Sequence, residues 1–238
     1  MINFSFVFVL YALFLTPLQE RQTASFNKLY PILNEYIKDF PKEFRKIPEE
    51  RRYRLNEMVY YLEEQEKNRN AWQLMFISSN QSTVGQMAQV WAKIAAYYFG
   101  LEKLQTFSGG LQAEPISVNT ILALEKAGCI VYKNDLNGLN VYQVKYAYNI
   151  NPIILYPKKT DHVKNPANDF MAVFVNEHAD MNMRNVRGTF NRLLLPYEDL
   201  SAYDGSAIDT RQYEESNRKM AVEMFYVFAQ LRKRLKNP

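Results

Sequence analysis

Two short apolar runs, each followed by a polar stretch and then by a helical pattern, constrain the fold of this chain more than any other feature. The runs Gln73–Ile77 and Lys103–Phe107 have the length of buried strands. The helix after the first run is predicted from apolar residues at helical spacing, namely Met87, Val90, Trp91, Ile94 and Tyr98. The helix after the second run extends from Pro115 to about Ala127, and Gly128 ends it. Strands separated by helices predict an α/β fold with a mostly parallel sheet and helices on both faces.

The second half of the chain adds strands and a long final helix. Phe170–Val175 and Arg192–Leu195 are further core strands, so the parallel sheet is predicted to have about four strands. Residues 206–209 have the form of a capping box that opens the final helix. The buried stripe of that helix is predicted to consist of Tyr213, Met220, Met224, Val227, Phe228, Leu231 and Leu235. Ligands of such a fold are expected at the carboxyl ends of the strands.

Residues 130–157 interrupt the alternation of strand and helix. Val131–Tyr132, Val141–Tyr148 and Ile153–Tyr156 are short strand candidates joined by turns that contain Asn-Gly and Asn-Pro. We therefore expect an antiparallel insertion within an α/β domain that covers residues 71–238.

The first residues are the most apolar part of the chain, because residues 4–15 are almost without polar side chains. This run is too short to span a bilayer but has the length of the apolar region of a signal peptide. Ala24 could end a cleavage site, although no basic residue precedes the run and Gln22 is unfavourable just before a cut. Two interpretations of segment 1–24 are therefore kept: it is a signal for export, or it is not cleaved and is buried or associated with a membrane.

Residues 25–70 predict an N-terminal helical extension. A first amphipathic helix, which Pro41 ends, is indicated by the spacing of Phe26, Leu29, Tyr30, Leu33, Tyr36, Ile37 and Phe40. A second helix begins at Pro48, and its apolar stripe is Leu55, Met58, Val59 and Leu62.

Composition excludes several classes of function. The net charge of +4 arises from 29 basic and 25 acidic residues without a long basic block, so nucleic acid is not an expected partner. Cys129 is the only cysteine, and His162 and His178 lack the spacing of metal ligands. Neither a zinc enzyme nor a redox dithiol fits, and we expect no metal and no cofactor.

A polar loop between a strand and a helix can bind an anion, because its N–H groups converge and the helix dipole favours negative charge. Here the stretch 76–88, FISSNQSTVGQMA, resembles the motif of low-molecular-weight tyrosine phosphatases and arsenate reductases: a strand, Cys, five residues, Arg, Ser, and a helix that commonly begins Gln-Met-Ala. Ser78 stands at the cysteine position and Val84 at the arginine position. The candidate anion-binding residues are Ser78, Ser79, Asn80, Gln81, Ser82, Thr83 and Val84.

The resemblance covers about residues 26–236 and implies the fold of that family in a degenerate bacterial member. Residues 108–110, Ser-Gly-Gly, resemble a turn after the second strand of the family. Residues 178–180, His-Ala-Asp, resemble a segment that carries two redox cysteines in arsenate reductases, and those positions are Asn176 and Met183 here.

The late loop, residues 196–200, resembles the loop that bears the general acid of the family. The resemblance maps that acid to Asp199, although the proline that usually follows it is replaced by Leu200. Asp199 is therefore the one catalytic candidate that the resemblance keeps. A simple aspartate at the start of a helix is the favoured interpretation of this residue.

Loss of the nucleophile and of the arginine decides the expected chemistry. A thiolate in such a loop attacks because donors lower its pKa, whereas a serine hydroxyl stays protonated without a base. Valine cannot replace the bidentate phosphate contact of an arginine. Removing one charge-stabilising donor typically costs about 10²- to 10³-fold in rate, and removing the nucleophile costs more. We therefore expect a catalytically inactive protein that binds a partner or acts as a scaffold.

Alternatives remain at this stage. The polar residues of the loop could simply cap the following helix, with Ser82 or Thr83 as its N-cap, or they could hold phosphate or a phosphorylated protein. An active hydrolase could use Ser78 as its nucleophile with His178 or another group as the base, although a histidine at a helix cap or on the surface is the favoured interpretation of His178. Arsenate reduction does not fit, because Cys129 is expected to be a small core residue. The resemblance favours a cytoplasmic location, membrane contact is expected only through residues 4–15, and the oligomeric state is open.

Overall fold

The computed structural model describes residues 28–80, 83–206 and 209–236. In these ranges the strands are β1 (Gln73–Asn80), β2 (Gln105–Gln112), β3 (Ile130–Leu136), β4 (Leu139–Lys145), β5 (Ile153–Leu155), β6 (Phe170–Phe174) and β7 (Thr189–Leu194). The helices are α1 (Pro31–Ile37), α2 (Phe40–Glu43), α3 (Glu49–Lys67), α4 (Val84–Tyr98), α5 (Val118–Lys126), α6 (Glu177–Asn182) and α7 (Asp209–Lys236). Short 3-10 helices occupy Phe44–Lys46 and Leu200–Tyr203.

The central sheet has four parallel strands in the order β2-β1-β6-β7. Strand β1 lies inside this sheet because its apolar run can be buried on both faces. Leu74 and Phe76 belong to the large core that contains α3, α4 and α7, whereas Met75 and Ile77 belong to a smaller core beneath α6. The predicted parallel sheet of about four strands with helices on both faces is confirmed.

Helix α7 lies at the centre of the large core. It contacts α2, α3, α4 and α5. Every residue of its predicted stripe from Tyr213 to Leu231 is buried, and Leu235 packs at the edge of the core. Asn217 is buried within this contact, where its Oδ1 accepts a hydrogen bond of 2.6 Å from Trp91 Nε1 and its Nδ2 donates to the Ala123 carbonyl at 3.1 Å.

Two expectations about strand ends were wrong. Strand β1 continues to Asn80, so Ser78 and Ser79 are part of the strand and not of a loop. Residues 108–110 are part of β2 and not a turn, since Gly109 and Gly110 pair with Ile77 and Ser78. The segment 158–160 explains why these residues are extended, because the Gly110 N–H donates to the Lys158 carbonyl at 3.1 Å.

Glycine at position 109 permits that close approach. A Cβ placed there would lie 2.8 Å from Thr160 Cα, and no side chain fits at that distance. Thr160 N in turn donates to the Gly110 carbonyl at 3.0 Å. The segment 158–160 therefore pairs with the end of β2, which keeps residues 108–110 extended.

The N-terminal extension departs from the prediction at Pro41. This proline lies in the first turn of α2 and does not end the preceding helix, which runs from Pro31 to Ile37. Proline is well tolerated there because the N–H groups of a first turn have no partner within the helix. Phe26, like the apolar run 4–15 and the whole of residues 1–24, lies outside the described residues.

Helix α3 begins at Glu49, one residue after the predicted start. Its predicted stripe of Leu55, Met58, Val59 and Leu62 has no exposed surface and belongs to the same core as α4 and α7. None of the helices in the described part of the chain is both long and apolar enough to cross a membrane.

The antiparallel insertion is confirmed. Strands β3, β4 and β5 form a separate three-stranded sheet in that order. Asn137 and Gly138 form the turn between β3 and β4 with φ of +57° and +81°. Positive φ at both central residues is typical of a two-residue hairpin turn, which explains why Asn-Gly predicts it.

Candidate functional site

Ser78, at the cysteine position of the motif, is buried at 2% exposure near the end of β1. Its hydroxyl lies against the first turn of α4, because a Cβ added at Gly85 would be only 3.1 Å from Ser78 Oγ. Glycine at position 85 makes room for this hydroxyl. Ser78 therefore fills the junction between strand and helix.

Ser79 contacts α6. Successive side chains of a strand point to opposite faces, so Ser79 faces away from Ser78. Its Oγ donates to Asn176 Oδ1 at 3.0 Å and lies 2.9 Å from His178 Nδ1. The alternative of an active hydrolase pairs His178 with Ser78, but the histidine contacts Ser79.

The hydrogen bonds of Asn176 indicate which atom is the donor between Ser79 and His178. Its Oδ1 also accepts a hydrogen bond of 2.9 Å from Ala179 N, which caps α6. When the hydroxyl of Ser79 donates to that oxygen, His178 Nδ1 must be the donor toward Ser79 Oγ. A histidine that donates to a serine does not remove its proton, so this geometry is the reverse of an activated nucleophile.

The residues at the start of α4 that the structure describes are buried. Thr83 takes the N-cap position, one of the two predicted, and is 3% exposed. Val84, at the arginine position, is 7% exposed and belongs to the large core. The other candidate anion-binding residues are Asn80, which ends β1, and Gln81 and Ser82, which lie outside the described residues. The arginine position thus supports the core instead of providing a charge.

Asp199 has a capping role. It is exposed and precedes the 3-10 helix Leu200–Tyr203. Its Oδ1 accepts hydrogen bonds from Ser201 N at 3.1 Å and Ser201 Oγ at 2.7 Å. This arrangement is the one expected of an aspartate at the start of a helix.

The two positions of the lost redox cysteines lie at opposite ends of α6. Asn176 is the N-cap of the helix, and Met183 is the residue that follows its last turn. Met183 packs against the smaller core, and its carbonyl accepts a hydrogen bond of 2.7 Å from Arg192. Both replacements therefore have structural roles.

Lys158 is a residue that sequence reasoning missed. It is 5% exposed, and its Nζ lies 4.9 Å from the centre of the Tyr156 ring. Burial lowers the pKa of Lys158 to about 8. Its carbonyl accepts from Gly110, which pairs with Ser78, so the lysine backbone lies near the ends of β1 and β2. No sequence signal identifies it, since two adjacent lysines usually indicate a solvated surface.

Cys129 is a small core residue, as predicted. It is 5% exposed, and burial raises the pKa of its thiol to about 12. The described residues contain no cluster of three side chains of the kinds that bind metal ions.

Several solved structures of other proteins are similar to the structure of this chain. No family model and no curated protein matches the sequence. A low-molecular-weight tyrosine phosphatase from T. tengcongensis is 10% identical, covers 67% of this chain and 99% of its own, and has a TM-score of 0.45. A low-molecular-weight phosphotyrosine phosphatase from Vibrio cholerae O395 is 8% identical, with coverage of 67% and 95% and a TM-score of 0.43.

The arginine phosphatase YwlE, a protein of Bacillus subtilis, is also similar. A cysteine-to-serine mutant of it with a phosphorylated active-site serine is 13% identical, with coverage of 70% of this chain and 99% of its own and a TM-score of 0.44. These structures belong to the class of protein that the motif at Ser78 resembles. At such low identity the function of this chain has to be inferred from its own residues.

Proposed function

We propose that this protein is a catalytically inactive, phosphatase-like protein that acts as a binding or scaffold module. The observation that carries the proposal is the placement of the two residues that replace nucleophile and arginine. Ser78 is buried against the backbone of α4 at Gly85, and Val84 is buried in the core. Neither side chain offers a charge or an activated nucleophile to a bound phosphate.

Neither His178 nor Asp199 supplies the chemistry that Ser78 would need. A serine hydroxyl attacks only when a base accepts its proton, and His178 is directed to Ser79. Asp199 is held by Ser201 as a cap, and an acid alone cannot complete a reaction that lacks its nucleophile.

The proposal also includes an anion pocket at the start of α4. The first N–H groups of α4 have no partner within the helix, and the dipole of this 15-residue helix favours a negative charge near Thr83. Its ligand would be phosphate or a phosphorylated protein. Binding would be weak, because neutral hydrogen bonds are roughly half as strong as those of a charged arginine.

An active hydrolase that uses Ser78 is the alternative. It requires a base within reach of Ser78 Oγ, and the one histidine near the end of β1 contacts Ser79 at 2.9 Å. The alternative is therefore the less favoured hypothesis.

Hydrolysis of p-nitrophenyl phosphate by the full chain tests the proposal. The expected rate equals that of buffer and is the same for Ser78→Ala and for Ser79→Ala. A rate above background that Ser78→Ala abolishes would establish the alternative, and one that only Ser79→Ala abolishes would locate activity at the Ser79–His178 contact. Either result contradicts an inactive protein.

Calorimetry with phosphate and with a phosphotyrosine peptide tests the anion pocket separately. A weak, saturable heat that falls with ionic strength is expected for a site made of N–H groups. Absence of both heat and thermal stabilisation removes the pocket and leaves the scaffold role. The variant Ser78→Cys with Val84→Arg adds a further check, because it can hydrolyse an aryl phosphate only if the loop backbone and Asp199 are still in a catalytic arrangement.

A further inference from the structure

A cleft opens on the face of the central sheet that carries α6. Two irregular segments, residues 159–168 and 183–187, form its walls. Its volume is about 730 Å³. Binding sites for small organic molecules typically have about 300–1,000 Å³, so the cleft has the size of such a site.

The floor of the cleft is apolar. Leu111, Phe170, Met183 and Val186 line it, and all four belong to the smaller core or pack against it. Phe170 itself is 1% exposed. An apolar ligand body placed on this floor would release water from it, which is the main source of affinity in such pockets.

The first wall, residues 159–168, is held in place without a ligand. Asn165 is 9% exposed, and its Nδ2 donates to the Lys159 carbonyl at 3.0 Å and to the Thr160 carbonyl at 3.2 Å. The main-chain N–H of Asn165 donates to the His162 carbonyl at 2.8 Å. One buried amide therefore fixes the bend of this wall.

The second wall, residues 183–187, is fixed by Arg192. The guanidinium donates to the carbonyls of Met183 at 2.7 Å and of Asp180 at 2.6 Å, and it pairs with the Asp180 carboxylate at 2.6 Å. The two walls meet at Gly188, which has φ of +79° and where a Cβ would lie 1.8 Å from the Ala167 carbonyl oxygen. These contacts preform the cleft, and a preformed site loses less entropy on binding.

The rim carries charged groups that no described residue neutralises. Lys159, Asp161 and Arg187 line the cleft, and none of them forms an ion pair within the described ranges. His162 Nδ1 accepts from Lys164 N at 3.1 Å, so the proton of the neutral ring lies on Nε2, which is a donor. Two positive charges and a ring donor against one negative charge favour an anionic ligand.

From the apolar floor, the fixed walls and the basic rim we infer that the cleft binds a small organic anion with an apolar body. The body, an aromatic ring or a branched chain, lies on Leu111 and Val186, which are partly exposed, above the buried Phe170. The charged group, a carboxylate, sulfonate or phosphate ester, lies between Lys159 and Arg187. This site is distinct from the junction of β1 and α4 at Ser78 and does not depend on the function proposed for that junction.

Fluorescence titration of the full chain tests the inference. The probe is 8-anilinonaphthalene-1-sulfonate, and the control probe is N-phenyl-1-naphthylamine, which has the same rings without the charge. We expect one saturable site for the anion and clearly weaker binding of the neutral amine. Removal of both charges by Lys159→Ala with Arg187→Ala is expected to weaken the anion by about tenfold.

Matched variants locate the site. Ala167→Trp places a ring into the cleft and is expected to abolish binding, whereas Ala113→Trp, at an exposed alanine outside the cleft, leaves it unchanged. Lys133→Ala removes a positive charge from an exposed position of β3, in the separate antiparallel sheet, and also leaves affinity unchanged.

Three outcomes overturn the inference. They are no saturable binding of the anionic probe, equal affinity for both probes, and binding that survives both Ala167→Trp and the double alanine variant. Circular dichroism melts of each variant establish that the protein titrated is folded, so loss of binding in Ala167→Trp supports the site only at an unchanged melting temperature.

Discussion

The buried ion pair between Arg51 of α3 and Glu223 of α7 allows a sharp prediction. Arg51 Nε and Nη2 donate to the two carboxylate oxygens of Glu223 at 2.9 and 2.8 Å, and Tyr197 donates to the same carboxylate at 2.6 Å. The side chains of arginine and glutamate are 12% and 3% exposed. Arg51 Nη1 also donates to the Pro196 carbonyl at 2.9 Å, so this network ties the N-terminal helices to the loop before Asp199.

Arg51→Met keeps an unbranched apolar stem but leaves the Glu223 carboxylate buried with Tyr197 as its remaining donor. Breaking one side of a buried pair costs about 3–5 kcal/mol in free energy of unfolding. For a chain of this size that corresponds to a melting temperature lower by about 6–20 °C. Urea unfolding followed by tryptophan fluorescence measures the loss, since Trp72 and Trp91 are 2% and 0% exposed and report on the core.

The neighbouring Arg52 provides the matched control, because its side chain forms no ion pair with a described residue. Arg52→Met is expected to change stability by less than about 0.5 kcal/mol. The double variant Arg51→Met with Glu223→Met should recover much of the loss, because it removes the uncompensated charge. If Arg51→Met alone lowered the free energy of unfolding by less than about 1 kcal/mol, the view that Arg51 and Glu223 form a desolvated ion pair would be refuted.

Three further predictions concern burial and backbone. Burial lowers the pKa of Lys158 from 10.5 to about 8, so between these values the folded state binds fewer protons than the unfolded state. The stability of the native chain relative to Lys158→Met should therefore rise by up to about 3 kcal/mol from pH 8 to 10.5 in urea titrations, and a flat difference would contradict the burial of this ammonium group. Cys129, with a thiol pKa raised to about 12, should react with Ellman's reagent only after unfolding, and rapid labelling of folded protein would contradict its burial. Gly188→Ala should lower the free energy of unfolding by well over the roughly 1 kcal/mol of backbone strain expected for Gly205→Ala. A Cβ at Gly205 meets nothing within 4 Å, whereas a Cβ at Gly188 would overlap the Ala167 carbonyl oxygen. Equal losses of stability in the two variants would contradict this overlap.

The spacing of apolar residues predicted the architecture, because the apolar stripe of a strand or helix depends only on residues that are close together in the sequence. The runs in β1 and β6 and the stripe of α7 are buried where their spacing places them. The ends of β1 and β2 could not be predicted, because Gly has low strand propensity and Gly110 is held extended by pairing with distant residues, Ser78 on one side and residues 158–160 on the other.

The geometry of the candidate site could not be predicted from the sequence. Strand alternation implies that Ser78 and Ser79 face opposite sides, yet nothing local indicates which one meets His178, since 99 positions separate Ser79 from that histidine. The pair Arg51–Glu223 likewise joins residues 172 positions apart. Contacts of this kind depend on how helices pack, and a single sequence carries no signal for them.

The central position of α7 has a consequence for synthesis of the chain. The ribosome makes this helix after every other described element, yet its buried residues complete the large core. Until Tyr213 to Leu231 have left the exit tunnel, the apolar stripes of α3 and α4 have no partner on that side. The nascent chain therefore exposes an apolar surface until α7 has emerged, and chaperones that bind such surfaces would protect it until then.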